Sequence, residues 1–354
     1  MSTQFVESGR SRQLVGFMAI VAFASTYGCG QNATSPIVSK PSTFDDHFEL
    51  VDTIVLDTSF VIGALSSLDV DPDGDFLAGN PMTGELALYL PDGTRIRELT
   101  VDDCAPGFQN PFEGKFVFDE SRIVAHNRNV AFLFDNKGVC QERLEDFKPM
   151  WSFCSTQDSL FALLPRRNPS IISYSKDFKQ ATEYKLETPR FPAVFAVSRG
   201  LGGRELSCTD GDVTYFYNEE PDVRHLRGST PAGRHEPYGY SPIDWFPENH
   251  SGTADLSHDL MELRKRSDMS IGNFDLENGY RIMVFENWRE GTRKGDPTML
   301  YNLIDKSRPD QSYSFATDKW PLATRDGLLY VIGGSLTDAS DATNPKIAVY
   351  RMTD

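Results

Sequence analysis

Tight-turn signals recur so closely along this chain that, from about Phe48 onward, most stretches have room only for a short strand before the backbone must reverse. Residues 67–80 read SLDVDPDGDFLAGN: a strand, an Asp-Pro-Asp-Gly turn and a second strand. Residues 85–100, ELALYLPDGTRIRELT, repeat the unit around another Pro-Asp-Gly. Gly in such a turn accepts positive φ and Asp hydrogen-bonds its own reversal, so these sequences favour tight hairpins. The pattern predicts an all-β fold.

Similar units follow at 121–145, turning near His126-Asn127 and at Asp135–Gly138, and at 158–187, turning near Arg167-Asn168 and at Lys176-Asp177. A weaker fourth unit spans about 191–227, a fifth runs from about Ser270 to Ser307, and the last covers 319–352. Six units of roughly 50 residues lie in the range of propeller-blade repeats.

The cadence at 67–100, together with NPSIISY (168–174) and NPKIAVY (344–350) as third strands of their units, resembles the NHL-like and TolB-like six-bladed β-propellers. Six-bladed propeller lipoproteins of environmental bacteria are the most similar in phrasing. The resemblance covers nearly the whole chain after the N-terminal segment, and it is one of cadence. It implies a six-bladed β-propeller over residues 48–354. It also implies closure by an N-terminal strand, here Phe48–Leu56, pairing with the last blade and leaving no long exposed sheet edge.

The cadence breaks at about 228–268, which is expected as a short loop and helical insertion. Its first part is rich in Gly, Pro and aromatics and holds His235 and His250, with His225 just before it. Leu256, Leu260 and Leu263 then fall at i, i+4 and i+7, the spacing of a short amphipathic helix. Tyr238, Tyr240, Trp245 and Phe246 form an aromatic group that suits contact with a ligand or partner if exposed, and core packing if buried. Phe285 and Trp288 form a second.

Ahead of the hairpins, Arg10 and Arg12 precede the apolar run Leu14–Ala24, a secretory signal too short to span a bilayer. Ala22-Phe23-Ala24 offers ordinary cleavage and a soluble product beginning at Ser25. Thr26-Tyr27-Gly28-Cys29 resembles a bacterial lipobox, with Thr26 where Leu is usual and Cys29 as the lipidation site. Residues 1–29 are thus expected as a lipoprotein signal and 30–47 as a flexible tether. The destination is the bacterial periplasm or cell surface.

The formal net charge of −16 argues against nucleic acid and against adhesion to anionic lipid by charge. Cys104, Cys140, Cys154 and Cys208 remain once Cys29 carries the lipid, an even number in an oxidising space. They allow three disulfide pairings, or four buried thiols. Asp69-x-Asp71-x-Asp73-Gly74-Asp75 opens like an EF-hand loop, but Asn80 stands where the bidentate Glu belongs, so it reads as a hairpin turn. His225, His235, Glu236, His250 and His258 lack any spacing that enforces metal geometry, and there is no nucleophile elbow, dinucleotide loop or Walker loop.

No cofactor or metal is expected, and no catalytic residue is assigned. The function expected is a non-catalytic binding or scaffolding module for a protein or glycan partner, held to the membrane by its lipid. The alternative is a metal-dependent hydrolase or lyase with its site in the central channel.

Overall fold

Apolar runs bounded by turns become strands, and the strands sort into sheets in chain order. The computed structural model describes residues 37–57, 67–80, 84–108, 115–119, 122–127, 130–144, 152–164, 168–197, 204–209, 211–226, 235–246, 253–287, 298–308, 310–333 and 345–353. Six sheets form the blades, over 67–98, 115–144, 152–185, 206–225, 269–317 and 321–352. Their innermost strands are Ser67–Val70, Lys115–Asp119, Ser152–Ser155, Leu206–Thr209, Met269–Asp275 and Pro321–Arg325. Each inner strand touches the next and the last touches the first, so the ring closes around a central channel. The chain is a six-bladed β-propeller.

Burial explains the residue pattern along a blade. Middle strands are covered on both faces by neighbouring blades, so Val130–Asp135 (VAFLFD) and Leu328–Gly333 (LLYVIG) are almost continuously apolar and buried. Outer strands such as Arg95–Glu98 and Ala181–Lys185 carry charge and face solvent. The core is accordingly divided into six apolar clusters, one at each junction between consecutive blades.

Closure uses the N-terminal segment twice. Phe48–Val55 pairs antiparallel with Lys346–Met352 as the outermost strand of the sixth blade, as the resemblance implied. Upstream, within the segment expected as a tether, Lys40–Pro41 adds parallel to Tyr313–Ser314 on the edge of the fifth blade. Ile37–Val38 pairs with His235–Glu236 of the insertion. The segment is engaged from Ile37 onward because it buries polar as well as apolar groups. Ser39 is 2% exposed and donates to Asn302 Oδ1 at 2.5 Å, while Phe44 stacks on Phe48 and meets Tyr350 edge-on, both at 4.9 Å. At the far end of this strand Gly93 is required: φ is +87°, and a Cβ there would lie 2.2 Å from the Val55 carbonyl oxygen.

Among the described residues the fourth blade has three strands, preceded by the helix α1 (Pro192–Val197). The insertion completes its junction with the fifth blade: Tyr240 packs on Phe216, Met283 and Phe285. The expected helix is present as α2 (Thr253–Arg264), and Leu263 joins Val194, Ile243, Phe246 and Met269 in a satellite core. The cysteines pair Cys104–Cys140 and Cys154–Cys208, with Cα separations of 5.6 and 5.4 Å, within normal disulfide reach. The second bridge ties the inner strands of the third and fourth blades together.

Candidate functional site

Side chains alternate along each inner strand, so one set enters the blade junctions and the other faces the channel. In the first blade Leu68 and Val70 are buried in the junction core, which turns Asp69 and Asp71 toward the axis. The C-terminal halves of all six inner strands, with the turns that follow them, enclose a cavity of about 820 Å³. Its wall carries Asp69, Ser155, Ser207, Asn273, Thr324 and Arg325 among apolar residues such as Phe118 and Phe153. That volume lies in the ordinary range of small-ligand sites.

Arg204 lines the cavity. Its backbone lies between the fourth and fifth blades, bridged to Gly272 and accepting a hydrogen bond from the Asn273 amide at 3.2 Å. Its guanidinium crosses the channel and donates through Nη2 to the Leu68 carbonyl of the first blade and, at 3.0 Å, to the Leu322 carbonyl of the sixth. Nη1 stands 3.8 Å from Asp69 Oδ1, and Asp69 Oδ2 accepts the Phe118 amide at 2.8 Å. Burial pushes the Asp69 carboxyl above its ordinary range; Arg204, the Phe118 and Val70 amides and Arg325 oppose that rise.

Asp275, Asp212 and Asp71, near the mouth, are engaged too. Asp275 is 2.9 Å from Lys306 Nζ and 3.6 Å from Arg281, whose own pKa is lowered by burial against the pull of Asp275 and Asp212. Asp212 meets His225 Nδ1 at 2.6 Å. Asp71 Oδ1 accepts the amides of Asp73 and Asp75 at 2.9 and 2.8 Å, and Gly74 has a φ of +86°. The Asp-rich segment is therefore a capped hairpin turn. Asp75 is pushed up by burial and by Asp71 and Asp73, a mark of the negative field at this rim. Among the described residues no three His, Cys, Asp or Glu side chains stand close enough to hold a metal ion.

Of the residues singled out from the sequence, Tyr238 and Trp245 are exposed, at 58% each, and Arg266 lies 5.9 Å over the Trp245 ring. Tyr240 and Phe246 are buried, because the insertion needs them to dock on the blades. None of the four lines the channel cavity: Phe246 packs beside Met269, where the inner strand of the fifth blade begins, whereas the cavity lies where the inner strands end. Phe285 is core. His235 is buried and His258 exposed. Cys29, Trp288 and His250 lie outside the described residues. In the sequence Asp69 belongs only to a turn motif, and Arg204 and Arg325 carry no motif at all.

No family model matches this sequence, and no curated protein is similar to it. Solved structures are similar in fold. A Bacteroides fragilis protein described as exported matches 90% of this chain and 99% of its own, with a TM-score of 0.65 and 11% identity. A member of the DUF4221 family from Bacteroides vulgatus matches 87% and 99%, with a TM-score of 0.60 and 7% identity. Likeness at these identities is one of fold, and the fold is the six-bladed β-propeller. No helix among the described residues is long and apolar enough to cross a membrane.

Proposed function

We propose that this chain is an exported, lipid-anchored propeller of the NHL-like or TolB-like kind that acts as a binding module, with its ligand held in the central channel. The observation that carries this reading is the polar cavity to which all six blades contribute, crossed by Arg204. Its inner carboxylates are engaged by cations and amides, an arrangement that holds a shape and a charge pattern. Two disulfides support a site outside the cytoplasm, where such bonds persist. Exposed Tyr238 and Trp245 offer a second contact surface for a protein or glycan partner, and buried Tyr240 and Phe246 hold that surface in place.

Ligand-observed NMR against a library of small polar molecules tests the channel. Thr209 stands at the mouth, and Thr209→Trp fills it. Molecules that bind the natural protein are expected to lose binding to this variant; undiminished binding moves the site elsewhere. Mass spectrometry of the mature N-terminus tests the anchor: a lipid on Cys29 is expected, and an unmodified Ser25 terminus overturns it.

A further inference from the structure

Resting on the lipid anchor at Cys29, we infer that the outward side of the insertion around Tyr238 and Trp245 docks on the bilayer surface and leaves the channel mouth free. Residues 235–246 lie against the propeller through Tyr240, Ile243 and Phe246, all buried, and turn Tyr238 and Trp245 outward. Val38 joins them, because Ile37–Val38 pairs with His235–Glu236 and the next residue, Ser39, takes the buried position. Val38, Tyr238 and Trp245 are 60%, 58% and 58% exposed, the highest values among the large apolar residues described. Single exposed apolar residues are ordinary, but three on the outer side of one added layer mark a contact surface. Tyr and Trp suit the boundary between headgroups and hydrocarbon, because each has an apolar ring and a polar handle.

The reach of the tether says what covers this side. The described fold begins at Ile37 and Cys29 is eight positions upstream, so the chain between them spans about 28 Å at most. A compact unit the size of Ser35–Asp354 is about 50 Å across. The edge that holds Ile37 is therefore kept next to the bilayer, and the far side of the propeller cannot take its place. Contact made on a tether is intramolecular, so a few side chains too weak to hold a free protein on lipid suffice. Local charge does not oppose it: exposed Lys40, Lys265 and Arg266 offset Glu236, Asp244 and Glu262, and Arg264 is held by Glu286. The long stems of Lys40 and Arg266, which lie over Tyr313 and Trp245, let their charges reach headgroups. Leu50, Val55, Leu90 and Ile96 are exposed as well, but on the sixth and first blades, and the tether joins at the insertion and the fifth blade. Phe246 packs beside Met269, where an inner strand begins, and the cavity lies at the other end of these strands, so the mouth stays open to solvent.

Fluorescence quenching tests this, with the lipidated mature chain in phosphatidylcholine vesicles whose acyl chains carry bromine near the headgroup. Bromine there quenches only tryptophan that meets the bilayer. Quenching is expected in the natural protein, and Trp245→Phe, which removes the reporter but keeps a ring, is expected to lose most of it. The Val38→Ser, Tyr238→Ser double variant changes only exposed side chains; folded as judged by circular dichroism, it should lower the quenching at least about twofold. Quenching that is undiminished in Trp245→Phe, or untouched by the double variant, overturns the docking surface. A natural protein that sediments with the vesicles but is not quenched overturns it too, leaves the anchor standing and returns the surface to a protein or glycan partner. A mature chain beginning at an unmodified Ser25 removes anchor and docking together.

Discussion

Glu219 is the residue where burial has the clearest thermodynamic consequence. It follows the second strand of the fourth blade, is 4% exposed, and its Oε1 accepts the Phe191 amide at 3.1 Å. Burial pushes its pKa up to about 7, opposed by the Phe191 amide and its own, raised a little further by Glu220 and lowered by Arg224. The folded protein thus holds a proton that the unfolded chain releases near the ordinary value of 4.5. Between those two points the native state binds more protons, so the contribution of Glu219 to stability is greatest below about pH 4.5 and is lost as pH rises through 7. The contribution of this group falls by about 3 kcal/mol over that window. Glu219→Gln, which stays neutral, should remove this component, and urea midpoints at pH 5 and pH 8 check it: the variant is expected to be the more stable protein at pH 8.

At the scale of elements, two devices hold the ring shut. The N-terminal segment anchors through Phe44, whose ring lies within 6.0 Å of Phe48, Tyr301, Phe315 and Tyr350 at the junction of the fifth and sixth blades. Phe44→Ala is expected to cost about 3–5 kcal/mol, read from chemical unfolding, because the aromatic pocket cannot collapse around Ala. The Cys154–Cys208 bridge closes a span of 54 residues across the third blade. Loop-closure entropy for that length is worth about 4 kcal/mol. The Cys154→Ser, Cys208→Ser double variant should lose stability of that order, with a matching drop in Tm. Neither device could be read from spacing: four cysteines permit three pairings, and only the adjacency of inner strands chooses between them. The hairpins were legible, because Asp-Pro-Asp-Gly and Pro-Asp-Gly act on a few residues at a time. The completion of the fourth blade's junction was not, because Tyr240 reaches it from beyond the blade.

For the whole molecule the telling residue is Arg204, which spans the channel and joins blades on opposite sides of the ring. Its partner carbonyl at Leu68 is 136 residues away in sequence. Arg204→Met keeps an apolar stem but leaves the Leu68 and Leu322 carbonyls without these donors, at about 1–3 kcal/mol each. Asp69 also loses the largest of the interactions that oppose its rise, so its carboxyl should titrate at higher pH, a shift that carbon-detected NMR would register. An unchanged Asp69 titration would mean that the strut is electrostatically idle. By itself the sequence determined the strand-and-turn cadence and the six units, since each rests on propensities and patterns local to a short stretch of chain, and the resemblance carried by that cadence implied the closing strand at Phe48. Only the tertiary structure decided the disulfide pairing, the division of the insertion's aromatics between core and surface, and the site itself. Asp69, Arg204 and Arg325 acquire chemistry because ring closure brings separate strands to one axis, and no local pattern encodes what a side chain meets across a channel.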